Sequence, residues 1–506
     1  MATKAAPKEF DELVAKLKEV QALSGISGLL GWDEMVMMPP AAAASRGAQK
    51  AALAGVLHER TTDPEIGRLL EKLDGVAFED PYRTAAVREA KHDYQKATRI
   101  TSSLAKREAE HETEAYQAWI KAREAKSFEP FSRALGKWVR LRRERASLID
   151  PGQNAYDVLL DEFQPGLTSA RLDEIFGQVK AGLVPLLARV RAHGAAPDDA
   201  WLNGGPFDRE AQAALCRQLS LDLGFDLDSG RLDVSVHPFT GGAHPTDVRM
   251  TTRFKDDQLL DGIAGTIHET GHALYEQGRN LDYDGLPVNE AAGMAVHESQ
   301  SLLWERMVGQ GRPFAQFLLP KLQEAFPQLD KTKTAEDLYS GKNVVLTKSL
   351  IRVEADELTY PLHIILRYEL ETALLRGDIE VVDLPALWNK KMEEYLGVEP
   401  KDDVEGILQD VHWSYGSFGY FPTYSLGAMM AAQIFQTAQQ ELPDLDASLA
   451  KGDFAPLKTW LNGKIHKIGR LHPTMDDLLV EVTGEPLNPQ IFLDYLTKKY
   501  TELYQL

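Results

Sequence analysis

Residues 267–272 read Ile-His-Glu-Thr-Gly-His. Two imidazoles four positions apart can share one cation only where the backbone carries i and i+4 onto a single face, which a helix does and a strand does not. The pattern therefore imposes a helix here, with His268 and His272 as metal ligands and Glu269 within reach of a water at the metal. Around it, Leu260, Ile263, Ala264, Ile267 and Leu274 recur at helical spacing between Asp257 and Gln277, and Gly278 supplies a stop. Both histidines fall at the edge of that apolar stripe, in a row with Asp261 and Gly265, so they can face a cleft. Gly262, Gly265 and Gly271 each cost a helix about 1 kcal/mol relative to alanine, which makes sense where another element comes close. The plain alternative is a helix with two solvated histidines.

A catalytic zinc needs a third protein ligand and one open position. Gly278, Asn280, Asp282, Asp284, Gly285 and Pro287 interrupt the helix, and Glu290 to about Met307 reads as a second one, making a helical hairpin. Along the second helix Ala291, Met294, Ala295, Glu298 and Leu302 form one row, so a carboxylate stands where hydrocarbon is expected and needs a partner. At 1.5 Å per residue, Glu298 and His268 both lie roughly 14 Å from the connecting loop, and an antiparallel hairpin brings them level. Glu298 is thus the candidate third ligand, against the alternative of an exposed helical glutamate. His297 points about 100° away and ranks below it. Cys216 is the only cysteine, which excludes an internal disulfide and leaves a metal to histidine and carboxylate. Those donors suit one Zn2+ per protomer, with Co2+ able to occupy the same geometry.

The rest of the chain narrows the setting. A formal net charge of −20 with no compensating basic run disfavours nucleic acid and anionic membranes as partners. Met1 to Lys8 lead directly into an amphipathic helix, with neither the apolar core of a signal peptide nor a membrane-length run, so a cytoplasmic protein is expected. Residues 41–60 and the charged stretch from Pro81 to Ile149 read as helical scaffold; His111-Glu112-Thr113-Glu114-Ala115 imitates the metal pattern but lacks its second histidine. The helical rhythm breaks between Arg231 and Phe254, where alternation predicts two antiparallel strands around a Gly241-Gly242 loop, able to border the cleft and pair with an extended peptide, or simply a structural hairpin. Asp226 and Asp228 hint at a calcium loop, but Arg231 and His237 occupy the positions that need glycine and glutamate.

Six motifs then carry a family likeness: His237-Pro238-Phe239, Asp247-Val248-Arg249-Met250-Thr251, His268 to His272, His297-Glu298-Ser299-Gln300, Ile351 to Asp356, and Gly406 to Trp413, with Trp32-Asp33 and Tyr420 to Tyr424 extending it. Together they resemble the thermostable (Taq-type) metallocarboxypeptidases, family M32. The resemblance implies a mainly α, large helical zincin related to neurolysin and angiotensin-converting enzyme. It would have a deep cleft, a small antiparallel β element beside the metal helix, and one domain over residues 1–506 with two helical subdomains flanking the cleft. It also implies a homodimer that removes single residues from peptides with a free C-terminus. Chemistry assigns Glu269 as general base and acid and requires a further donor to the oxyanion; His412 and Tyr420 are the candidates, which the resemblance supports, each with a packed, structural role as the alternative. Arg352 is the first choice for the terminal carboxylate, although Arg352 and Asp356, four apart at the start of a helical segment, could form an ordinary ion pair. Arg249 is the reserve, His237 a candidate contact to the peptide backbone, and Gln409 a further candidate substrate contact. The competing readings are an oligoendopeptidase with the same zinc site and a noncatalytic zinc-containing scaffold.

Overall fold

The computed structural model describes residues 7–193 and 196–506. Helices dominate, and local chemistry explains their ends: Asp63 accepts from the Glu65 amide before Pro64–Leu73, and Thr101 accepts from the Leu104 amide before Ser102–Ala125. The N-terminal helix Lys8–Val36 buries Phe10 and Leu13 against Ile66, Leu69, Leu70 and Leu73, forming a small core of its own. The main core runs from Leu104 to Tyr504 and encloses the hairpin that carries the metal pattern. His111, the imitation motif, is sealed in scaffold with Nε2 2.9 Å from the Ala134 carbonyl. None of the described helices is long and apolar enough to cross a membrane.

The β element differs from the expected hairpin. It has three strands, β1 (Gly230–Val234), β2 (Thr240–His244) and β3 (Asp247–Thr252), in the order β1-β3-β2, with β1 parallel and β2 antiparallel to β3. Gly241 and Gly242 lie inside β2, opposite Arg249 and Val248, and the turn falls at Pro245-Thr246. The reason is close packing. A Cβ on Gly28 of the N-terminal helix would stand 2.3 Å from the Gly242 carbonyl oxygen, and one on Gly25 2.6 Å from that of Ala243. Gly25 and Gly28 thus let the N-terminal helix lie against the β2 backbone.

The metal helix spans Leu259–Gln277. Its partner begins at Met294, four residues later than the pattern predicts, because Gly293 adopts φ 113° and Gln164 Oε1 accepts from the Ala295 amide. This carboxylate helix is α-helical to Leu302 and continues as a π-helix over Leu303–Gly309. At Gly271 a Cβ would meet the Gln300 carbonyl oxygen at 2.6 Å, so the two helices touch backbone to backbone.

Candidate active site

The hairpin brings His268, His272 and Glu298 together. Glu298 Oε2 is 3.8 Å from His268 Nε2 and 3.3 Å from His272 Nε2, and one ligand atom from each of the three residues lies within 4.8 Å of the others. The second nitrogen of each imidazole is engaged elsewhere. His268 Nδ1 lies 2.7 Å from Glu305 Oε2, and since a carboxylate only accepts, Nδ1 carries the proton and Nε2 keeps its lone pair for a metal. His272 Nδ1 lies 2.6 Å from His297 Nδ1, and His297 Nε2 is 2.8 Å from Glu276 Oε1. One assignment satisfies this chain: His297 donates to Glu276 and accepts from His272, which again leaves Nε2 free.

Electrostatics agree with that donor set. Burial opposes charge on His268, yet Glu298, Glu305 and Glu269 together push its pKa up to about 10. Burial likewise works against ionised Glu298, but His268 and His272 hold it below the usual carboxylate range. The arrangement calls for a cation between two imidazoles and a carboxylate, the donors a catalytic zinc takes, so a divalent metal fits here.

Glu269 is buried beside these ligands. Thr240 of β2 donates to Glu269 Oε2 at 2.6 Å, so the irregular sheet aims the carboxylate while leaving Oε1 free. Above the hairpin lies the helix Pro422–Glu441, which follows Tyr420. A Cβ on its Gly427 would stand 2.7 Å from Glu298 Cβ, so this helix rests directly on the ligand's stem. The Tyr420 ring is 5.4 Å from that of His412 and 5.3 Å from that of Tyr424. Burial, reinforced by the Glu298 charge, pushes Tyr420 up to about 12. Burial, against Asp410 and aided by Arg352 and Arg367, lowers His412 to about 4, and its Nδ1 is buried without a partner among the described residues. Both therefore remain neutral near pH 7.

The other sequence candidates are placed less uniformly. Arg352 sits in a single 3-10 turn, Arg352–Glu354, and does not open a helix. Its partners are Asp410 Oδ1, 2.8 Å from Nε, and the Tyr360 hydroxyl, 2.9 Å from Nη1. Asp356 instead accepts from the Leu346, Leu358 and Thr359 amides, so the intrahelical ion pair does not form. Gln409 is spent within the protein: Oε1 accepts from the Arg352 amide and Arg367 Nη2, both at 2.8 Å, and Nε2 faces three carbonyls. It holds the Arg352 turn and has no free group for substrate. Arg249 is paired with Asp247 and lies 4.7 Å over the Trp32 ring. His237 is exposed on the loop between β1 and β2, whose Pro238 lies over Gly265 of the metal helix.

Sequence reasoning missed the supports. Glu276 and Glu305 look like ordinary helical glutamates, and Thr240 like a strand residue. Glu371 is fully buried on Tyr360–Arg376, where burial raises its pKa to about 7. It accepts from Trp413 Nε1 at 2.7 Å, the Tyr156 hydroxyl at 2.9 Å and the Gly419 amide at 3.0 Å, gripping both ends of the stretch between His412 and Tyr420.

Known proteins are similar to this chain over nearly its whole length. Thermostable carboxypeptidase 1 of Thermus thermophilus is 42% identical over 508 residues, covering 98% of this chain and 99% of that protein. A crystal structure of an M32 carboxypeptidase from Deinococcus radiodurans superposes with a TM-score of 0.95 at 37% identity, covering 99% of this chain and 100% of that one. A putative oligoendopeptidase F matches with a TM-score of 0.56 at 12% identity, over 100% of this chain and 99% of that one, a likeness of fold alone. The model of the carboxypeptidase Taq (M32) metallopeptidases matches residues 12–500, and with relatives this similar end to end the chain belongs to that family of metal-dependent carboxypeptidases.

Proposed function

We propose that this enzyme removes single residues from the C-termini of peptides, with zinc at the His268–His272–Glu298 site. The observation that carries the reading is the pairing of two walls: a metal-ligand set with a free Glu269 oxygen on one, and a buried arginine–tyrosine–histidine cluster on the other. A divalent metal there supplies Lewis acidity to the scissile carbonyl and to the attacking water. Glu269 accepts the water's proton at Oε1 and passes it to the leaving amine. Tyr420 and neutral His412 donate to the carbonyl oxygen as negative charge develops, and Glu371 keeps their loop in register. Arg352, oriented by Asp410, receives the terminal carboxylate. His237 borders the entrance, where it can meet the peptide backbone.

Zinc is favoured over cobalt by its common use of imidazole and carboxylate donors. A homodimer follows from the family likeness, and the single buried Cys216 is consistent with a reducing, cytoplasmic setting. We read the chain as one catalytic domain. Mass spectrometry of a peptide incubated with the metal-loaded enzyme tests the activity. A ladder of one-residue losses from the C-terminus is expected; internal cuts would make it an endopeptidase, and no cleavage by a fully metallated sample would make it a scaffold.

A further inference from the structure

Arg306 lies next to Glu305 in the π-helical segment, and it is buried to 6% exposure with Nη1 lacking a hydrogen-bond partner among the described residues. A buried guanidinium nitrogen without a hydrogen bond is costly, even where, against burial, neighbouring carboxylates hold the group's pKa above the usual arginine value. Three carboxylates act on it electrostatically, Glu305, Glu357 and Glu298, but each is committed. Glu305 accepts from His268, Glu357 holds Lys499 at 2.6 Å, and Glu298 faces the two histidines. Arg249 is paired with Asp247, whereas Asp410 is shared between Arg352 and Arg367. Arg306 makes no ion pair of its own among the described residues, and it adds cationic charge beside the two arginines that share Asp410.

The backbone directs it there. At about 100° per residue Arg306 would lie roughly 80° around the helix from Glu298, whereas the wider π turn, near 80° per residue, cuts this to roughly 25°. Its guanidinium carbon lies 5.1 Å from the centroid of the Tyr360 ring, and that of Arg352 lies 5.8 Å from the same centroid. The Tyr360 hydroxyl accepts from Arg352, and its own proton finds no acceptor among the described residues.

We propose that Arg306 and the Tyr360 hydroxyl form, beside Arg352, the contact that neutralises the substrate's terminal carboxylate. The proposal rests on the carboxypeptidase reading for the identity of that carboxylate. Guanidinium suits it because its planar fork can offer two parallel N–H donors to one carboxylate. A carboxylate on the side chain of the last residue has the same chemistry and must be told apart.

The test is calorimetric binding to metal-loaded wild type, Arg306→Met and Arg306→Lys. The probes are 3-phenylpropionate, its amide, and succinamate, which adds an amide to a short carboxylate. Metal content and melting midpoint are measured in parallel. Wild type should prefer 3-phenylpropionate over the amide. Arg306→Met should weaken the acid about tenfold or more and the amide little, with metal retained. Arg306→Lys keeps the charge without the fork and should recover part of the loss, which keeps the test open if the methionine variant does not fold. Blocked dipeptides ending in leucine and in aspartate then locate the contact: equal rises in KM point to the terminal carboxylate, and a rise confined to the aspartate substrate overturns the assignment. Unchanged acid affinity, or equal losses for acid and amide with a lowered midpoint, also overturns it. Should wild type bind the acid through Arg306 yet cut peptides internally, the carboxypeptidase reading fails and with it the terminal carboxylate as ligand, whereas the anion contact itself stands.

Discussion

Removing Glu305 should loosen the metal without touching a metal ligand. Its carboxylate accepts from His268 Nδ1 at 2.7 Å, which fixes the ring's orientation and tautomer. A hydrogen bond to a charged group contributes about 1.5–3 kcal/mol, and at about 1.4 kcal/mol per tenfold this is a loss of roughly 10- to 150-fold in metal affinity. The Glu305 side chain is 21% exposed, so water replaces part of the interaction and Glu305→Ala belongs in the lower half of that range. Glu305→Gln retains an acceptor oxygen but not the charge, and should fall between alanine and wild type. The assay is competition for zinc between chelator-stripped protein and a chromophoric chelator, with circular dichroism to verify the helices. Affinities within twofold of wild type for both folded variants would refute the reasoning, and so would an order in which glutamine binds more weakly than alanine.

Glu298→Ala should lose most of its metal by elemental analysis, and unchanged content would remove Glu298 from the ligand set. Glu269→Gln should keep metal and fold while turnover falls by about 10²- to 10⁴-fold, because an amide cannot accept the water's proton; near-normal turnover of the metallated variant would exclude the assigned base. Away from the site, Asp161 and Asp93 outweigh burial and push His92 up to about 9. A raised histidine pKa stabilises the fold fully below the unfolded value near 6.5 and loses that contribution as pH rises through about 9. His92→Gln should thus lower the melting midpoint at pH 6 and match wild type at pH 10; a difference that grew with pH would refute the sign.

The meeting of His268, His272 and Glu298 was legible because its geometry is local. A four-residue spacing states which face His268 and His272 share, and an antiparallel hairpin brings Glu298 level with them. The β element was misread because glycine signals both a turn and a close approach: at Gly242, with φ 144°, a Cβ would stand 2.2 Å from the Asp247 carbonyl oxygen of the neighbouring strand, so the residue belongs inside the sheet and not in a loop. The partner of Arg352 was equally hidden: Asp356 is near in sequence, but Asp410, 58 residues away, takes the guanidinium. The π-helical segment left no trace either, since a seven-residue change of pitch is too short to alter an apolar pattern.

Sequence distance also sets an order of assembly. The metal ligands and their supports Glu276, His297 and Glu305 all belong to one helical hairpin, and closing it costs little loop entropy. The opposing wall instead depends on Glu371, whose partners lie 42, 48 and 215 residues away. Contacts of that span form late in folding and are lost when the surrounding scaffold loosens. A chain caught part-way, whether still folding or beginning to unfold, will thus grip its metal before it can orient a peptide, so metal retention alone is no measure of an intact enzyme.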